Sequence, residues 1–270
     1  MGTNFGGLAY GHTEADIGVD PVLKLENVEL ELDTVVAKYI RTLELFGRSA
    51  RVDYVQGYQE AKWRGRLDGT AAAVKRKGLS DGVVRFAINF QDAPPLGGQE
   101  YVQYRAEHTT GTVVGAAVAI RVPTGKYKND KLLNLGGNRF VVRPQFGVSH
   151  FSGRWIAEIT GEISLHGDND DFFGGKTLEQ DPLFIVHSHL IYSFRPGLWV
   201  GASAGYDYGG ETTVDGAKKD DMQQNFGWGI NGAYPINRTM GLKLSYVNTQ
   251  TQETTGADTD TLMLSLSYMW

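Results

Sequence analysis

The stretch Thr261–Trp270 (TLMLSLSYMW) alternates strictly: Leu262, Leu264, Leu266, Tyr268 and Trp270 hold the even positions, with Ser265 and Ser267 between them. A period of two belongs to a β-strand whose faces meet different surroundings, because successive side chains point to opposite sides of the pleat. The same alternation recurs upstream. Val84, Phe86, Ile88 and Phe90 alternate with Arg85, Ala87 and Asn89, and Val114, Ala116, Val118, Ile120 and Val122 with Gly115, Ala117, Ala119 and Arg121. Phe140, Val142, Phe146 and Val148 alternate with Arg143, Gln145 and Ser149, and Trp155, Ala157, Ile159, Ile163 and Leu165 with Glu158, Thr160, Glu162 and Ser164. Leu198–Tyr208, Phe226–Ile230 and Leu242–Tyr246 follow the same rule, which leaves Asp207 and Lys243 on the polar face.

Composition says what the two faces touch. The 270 residues include 35 glycines, 13 tyrosines and 5 tryptophans. The polar face is small (Gly, Ser, Ala, Asn) rather than long and charged as a solvated sheet would be. Small residues suit the crowded interior of a narrow barrel, and an apolar band flanked by aromatics suits lipid. The spacing predicts an all-β fold: a transmembrane antiparallel up-and-down β-barrel of about twelve strands, one domain over residues 1–270. The expected spans are 3–12, 28–45, 50–66, 80–91, 112–122, 139–150, 155–165, 183–194, 198–208, 223–234, 241–251 and 259–270. The phase of the second and third is ambiguous, since Lys38, Arg41 and Glu44 do not share a parity.

The connections alternate in length. Short links are Phe46–Ser49, Phe151–Arg154, Arg195–Gly197 and Pro235–Thr239; long ones are 13–27, 67–79, 123–138, 166–182 and 209–222. Short periplasmic turns and long outer loops produce this pattern and place both ends of the chain in the periplasm. Residues 92–111 break it, being long on the short-turn side, and Gln99 to His108 are read as a short helix. Lipid offers backbone amides no partners, so the sheet must close, strand 3–12 against strand 259–270.

Several function classes fall away. A net charge of −5 opposes a nucleic-acid footprint, and the absence of cysteine removes disulfides, thiolate metal sites and cysteine nucleophiles. No apolar run approaches the roughly 20 residues of a membrane helix. The opening MGTNFGGLAYGH has no basic n-region or apolar h-region, so the chain is read as a mature form destined for the bacterial outer membrane. Gly205–Gly210 precedes no helix, and no Gly-x-Ser-x-Gly elbow is present, so nucleotide binding and serine hydrolysis lack their motifs.

Parity nominates the lumen. Arg85, Asn89, Arg121, Arg143, Gln145, Glu158, Glu162, His187, His189, Asp207 and Lys243 are expected to point inward, charges of both signs facing one another across a narrow space. They make either a polar path for small solutes or a salt-bridged plug, because unpaired buried charge is costly. His187 and His189 share one face at i, i+2, a spacing open to a metal; pairing with Glu158 and Glu162 is the favoured reading, and no metal or cofactor is assigned. In the outer loop, Asp168, Asp170 and Asp171 precede Phe172 and Phe173. This is a solvated turn with its phenylalanines on the barrel rim, a hard-cation site, or an apolar greeting for a solute.

A set of stretches in order along the chain carries a family resemblance: Leu45–Ala50, Gly78–Asp81, Val122–Gly125 with Tyr127, Asn134–Gly136 with Asn138–Phe140, Asn169–Gly175, Gln180–Pro182, Tyr192–Trp199, Val214–Gly216 and Tyr268–Trp270. The sequence resembles the outer-membrane family named for a meta-pathway of phenol degradation, with Ser80 departing from a Gly-Leu-Gly-Asp turn. The resemblance implies an outer-membrane barrel tied to aromatic or hydrocarbon catabolism, with a transport role and no catalytic residue. The expected activity is passive uptake of small hydrophobic or aromatic solutes. The alternatives are a structural, non-conducting barrel with a salt-bridged lumen, and a lipid-active outer-membrane enzyme. Expected partners are outer-membrane lipid, the solute, and the barrel-assembly machinery through the strand ending at Trp270.

Overall fold

A computed structural model describes the backbone of residues 1–270, and the side chains of all but Leu25, Gly98 and Gln99. The barrel strands are β1 (Asn4–Asp20), β2 (Leu25–Leu45), β3 (Arg48–Leu67), β4 (Thr70–Leu79), β5 (Gly82–Gln91), β6 (Thr110–Val122), β7 (Val141–Ser152) and β8 (Trp155–His166), then β11 (Leu183–Arg195), β12 (Leu198–Gly209), β15 (Gln223–Pro235), β16 (Met240–Thr251) and β17 (Ala257–Met269). Each pairs antiparallel with its sequence neighbour in the ring. β1 joins β17 from Phe5↔Met269 to Ile17↔Ala257, which closes the sheet as the amide argument requires. The ring has twelve positions because β4 and β5 share one. β4 covers the Tyr58–Leu67 half of β3 and β5 the Ala50–Val55 half, with Ser80-Asp81 between them.

The alternation becomes an inside and an outside. Ile230 and Phe146 are more than half exposed (57% and 56%) amid a continuous apolar outer surface, far larger than the patches a water-soluble monomer tolerates. Tyr39, Phe90, Trp155, Phe194, Tyr234, Tyr268 and Trp270 ring the short-turn end; Phe140, Phe184, Tyr206, Tyr208 and Phe226 lie towards the other. Such girdles mark the edges of a lipid band. Ile230→Arg is therefore expected to cost about 2–4 kcal/mol, the depth-dependent penalty for a cation on a lipid face; unfolding in lipid vesicles checks it.

Two expected loops are strands instead. Residues 13–27 and 67–79 belong to hairpins that rise beyond the apolar band: β1 runs to Asp20, β2 starts at Leu25, and β3 turns into β4 through Asp68-Gly69. Both turn residues have positive φ (52° and 73°), the twist that a two-residue hairpin needs and that Asp-Gly supplies. Apolarity is silent here because the outer face has passed from lipid to water. Its ladder is ionic: Glu31 accepts from Lys62 at 3.1 Å and Arg64 at 2.7 Å, and Glu60 from Lys75 at 2.6 Å. Register also settles the ambiguous phase. Lys38 stands opposite Gly7 and Val55 on the inner face, and Tyr39 is exposed on the outer one.

Two further long loops build their own four-stranded sheet, from β9 (Asn169–Phe172), β10 (Lys176–Gln180), β13 (Thr212–Val214) and β14 (Ala217–Lys218). At the opposite end, the exceptional 92–109 link holds helix α1 (Gly98–Glu107). Glu100 in its first turn and Arg105 in its last complement the helix dipole, and Gln103 donates to Glu107 one turn on at 3.1 Å.

Candidate functional site

The inner wall over β3, β5, β6, β7 and β8 carries a continuous polar chain. Asp53 is almost fully buried and meets Arg85 at 3.3 Å and Arg51 at 3.5 Å. Arg85 donates onward from Nε to Gln145 at 2.9 Å, Gln145 donates to Glu162, and Arg143 lies 3.5 Å from Glu162. Arg85 is on β5 and Gln145 on β7, so the bond must cross β6. It crosses over Ala117 and Ala119, buried in the register beneath it, where any larger side chain would block the reach.

These charges therefore pair sideways along one wall, which corrects the expectation that opposite signs face each other across the lumen. The facing wall is built largely of small residues, Gly7 and Gly11 on β1, Ser203 and Gly205 on β12, and Gly227 and Gly229 on β15, with Lys38, Asp207 and Lys243 as its charged inner groups. A sideways chain on one wall and a small-residue wall opposite leave the interior partly empty. A cavity of about 760 Å³ opens towards the short-turn end. Arg51, Arg85, Asn89 and Gln145 line its upper side; Phe5, Leu96, Tyr101, Val102 and Met269 line its floor. Leu96, Tyr101 and Val102 come from the 92–109 link, which thus crosses the barrel mouth. Arg105 stacks on the Phe151 ring, 3.3 Å from its centroid, and a Cβ on Gly97 would come within 2.3 Å of the Met1 nitrogen.

The other nominated residues divide. Asn89 donates to Ser49 at 2.9 Å, and Asp207 accepts from Asn225 at 2.8 Å. The expected histidine–carboxylate pairs do not form among the described residues. Glu158 accepts instead from Ser149 at 3.1 Å, Glu162 is taken by Arg143 and Gln145, and the His187 and His189 rings sit 5.7 Å apart, tilted by 59°. Lys243 hangs 5.8 Å above the Trp199 ring.

The long-loop end is capped by residues distant in sequence. Asp81, at the β4–β5 break, accepts from the Gly125 amide at 2.9 Å and the Gly137 amide at 2.8 Å, with Arg121 at 3.9 Å. Gly125 and Gly136 touch backbone to backbone; a Cβ on either would lie within 2.8 Å of the other's main chain. Asn138 donates to Asn169 at 2.9 Å, Asn169 to the Tyr127 hydroxyl at 3.0 Å, and Tyr127 to the Asp171 carbonyl at 2.9 Å. Asn169 is fully buried, a satisfied structural amide. In the acidic loop, Asp171 is engaged by Asn129 at 2.9 Å, Phe172 is buried beneath the small sheet, and Asp168, Asp170 and Phe173 face outward. Arg139 donates to Gln180; burial, with Arg121 alongside, brings its guanidinium down to about 10, so it remains a cation at neutral pH.

Sequence reading missed Lys38, Arg51, Asp53 and Asp81. The signal for Asp53 was present: it stands between the outward Val52 and Tyr54, so it shares the inner parity of Arg51. Arg85→Ala leaves buried Asp53 with the longer Arg51 contact alone. The expected loss is about 3 kcal/mol, typical of breaking a buried ion pair from one side; urea unfolding in micelles measures it.

The family described as "Putative MetA-pathway of phenol degradation" matches residues 18–266. No curated protein matches the sequence. Among solved structures, the COG4313 outer membrane channel from Pseudomonas putida F1 is similar with a TM-score of 0.84 at 20% identity, over 100% of this chain and 96% of that one. The β domain of the Bordetella autotransporter BrkA follows at 0.55 and 11% identity, with both chains covered in full (100%). The TodX monoaromatic hydrocarbon channel, as a ΔS2 mutant, scores 0.52 at 10% identity, over 99% and 90%. At such identities the likeness is one of fold, and the fold shared is that of the outer-membrane barrel.

Proposed function

The chain belongs to this phenol-degradation family of bacterial outer-membrane β-barrels, and from that premise we propose that it is a channel for passive uptake of small aromatic or hydrocarbon solutes. The observation that carries the reading is the cavity of about 760 Å³ inside a membrane-spanning wall, with an apolar floor and a polar side. Pockets of that size and mixed lining suit one small organic molecule. Arg85, Asn89, Gln145 and Glu158 line the path in this reading, Arg121 and Arg143 stand above it, and the 123–138, 166–182 and 209–222 loops gate the outer mouth. The sequence carries no nucleotide-binding motif, and in this reading solute moves down its gradient. That TodX is a monoaromatic hydrocarbon channel accords with this solute class.

A second reading has its own support. The loop tied down by Asp81 lies at one end and the 92–109 link crosses the other, as a non-conducting structural barrel would have them. Single-channel recording of the refolded protein in planar bilayers separates the two. Discrete conductance steps that millimolar phenol blocks are the expected result. A folded barrel that stays silent under all voltages and solutes would leave the structural reading standing. Turnover of lipid by the same preparation would favour the enzyme.

A further inference from the structure

Inside the lumen, the cations outnumber the carboxylates that serve them. Arg51 and Arg85 share the single buried Asp53. Lys38 lies within electrostatic range of the same Asp53, of both arginines and of Lys243. Among the described residues no carboxylate comes within 4.0 Å of the Lys38 or Lys243 ammonium group. Glu162 is matched by Arg143, and Glu158, held by Ser149, lines the cavity from β8. Counting Glu158, the four cations of this arc face two carboxylates; Asp207, held by Asn225, is a further inward carboxylate and leaves a surplus of one positive charge.

The layout is as telling as the count. Lys38 on β2 and Lys243 on β16 are separated around the ring by β1 and β17, whose inner residues at that level are Gly7, Ala9, Ser265 and Ser267. These small side chains leave room in the lumen for both ammonium groups, that of Lys243 lying 5.8 Å from the Trp199 ring. Arg51 and Arg85 continue the arc directly onto the cavity, whose floor is apolar and aromatic through Phe5, Tyr101 and Met269. A cationic arc above an apolar floor complements an organic anion, its charge towards the arc and its ring on the floor. Arcs of Lys and Arg are how pores favour anions, and ionisable groups at membrane depth are rarely retained without a partner or a use.

We propose that the lumen holds a binding site for small aromatic carboxylates, with Lys38, Arg51, Arg85 and Lys243 drawing the carboxylate and the Phe5–Tyr101–Met269 floor taking the ring. This deepens the channel reading and rests on it for onward passage of the anion.

Benzoate and benzyl alcohol, alike in ring and unlike in charge, provide the test. Each is titrated calorimetrically into the refolded full chain in detergent micelles, with empty micelles as reference. Benzoate is expected to bind about tenfold more tightly, and that preference to fall towards unity in Lys38→Gln and Lys243→Gln. Neither lysine holds a buried partner, so neither change orphans one; the heat-modified gel shift of the folded barrel verifies this. Equal binding of the two compounds by the unaltered chain overturns the proposal, as does a preference that survives both substitutions. Bilayer recording of the same preparation keeps the two claims apart. A conducting barrel without benzoate preference sinks the anion site and keeps the channel. Benzoate preference in a silent barrel keeps the site and sinks the channel.

Discussion

Asp81→Ala is expected to release the outer cap while leaving the barrel closed. The Asp81 carboxylate takes two main-chain amides, Gly125 at 2.9 Å and Gly137 at 2.8 Å, from the two ends of the 123–140 loop, and lies 3.9 Å from Arg121. Hydrogen bonds to a charged group contribute about 1.5–3 kcal/mol each, and their removal here also strips Arg121 of its carboxylate. A local loss of about 3 kcal/mol corresponds to roughly a hundredfold faster exchange of the Gly125 and Gly137 amides. Strand amides away from the cap, such as those of β16 and β17, should keep their protection, because their ladder is untouched. Hydrogen-exchange mass spectrometry over residues 120–140 reads both. Unchanged protection across that segment would mean that the Gly125–Gly136 backbone contact holds the loop unaided.

The largest functional change is expected from the other end. Residues 94–108 carry α1 and the side chains that floor the cavity, yet β5 and β6 are hydrogen-bonded neighbours from Gly82↔Val122 to Gln91↔Val114. Adjacent antiparallel strands need only a turn of about two to five residues to connect them. A Gly-Ser turn of about four residues in place of 94–108 should therefore leave the ring intact and remove Leu96, Tyr101 and Val102 from the mouth. Conductance in planar bilayers should rise several-fold. Retained Asp92 still accepts from the Thr112 amide at 3.2 Å, which helps to hold the new turn in register. An intact barrel with unaltered conductance would show that the block lies higher, at the Asp81 cap.

The helix, the short turns and the lipid face were legible because each follows from a short-range rule. Residues 98–107 form the helix expected at 99–108, and the short link at Phe46-Gly47 turns with positive φ. Residues 13–27 and 67–79, expected as loops, are strands that apolar alternation does not mark: above the lipid band the outer face carries paired charges instead, as Glu31, Lys62 and Arg64 do. The turn signal at Asp68-Gly69 was available and would have corrected half of the error.

The lumen was legible in membership only. Parity separates inward from outward, but it carries no height along the barrel axis and no neighbour around it. That Arg85 meets Gln145 along the wall depends on the register of three strands and on Ala117 and Ala119 being small. Asp81 lies 44 residues before Gly125 and 56 before Gly137, so no local pattern joins them. What the sequence by itself determined was a closed, lipid-facing barrel, since a period of two and the need to pair every amide in hydrocarbon admit little else. The tertiary structure alone decided which charges neutralise one another, which remain unmatched, and where the interior stays open. Those outcomes depend on ångström-scale distances between side chains on different strands, which only register and closure set.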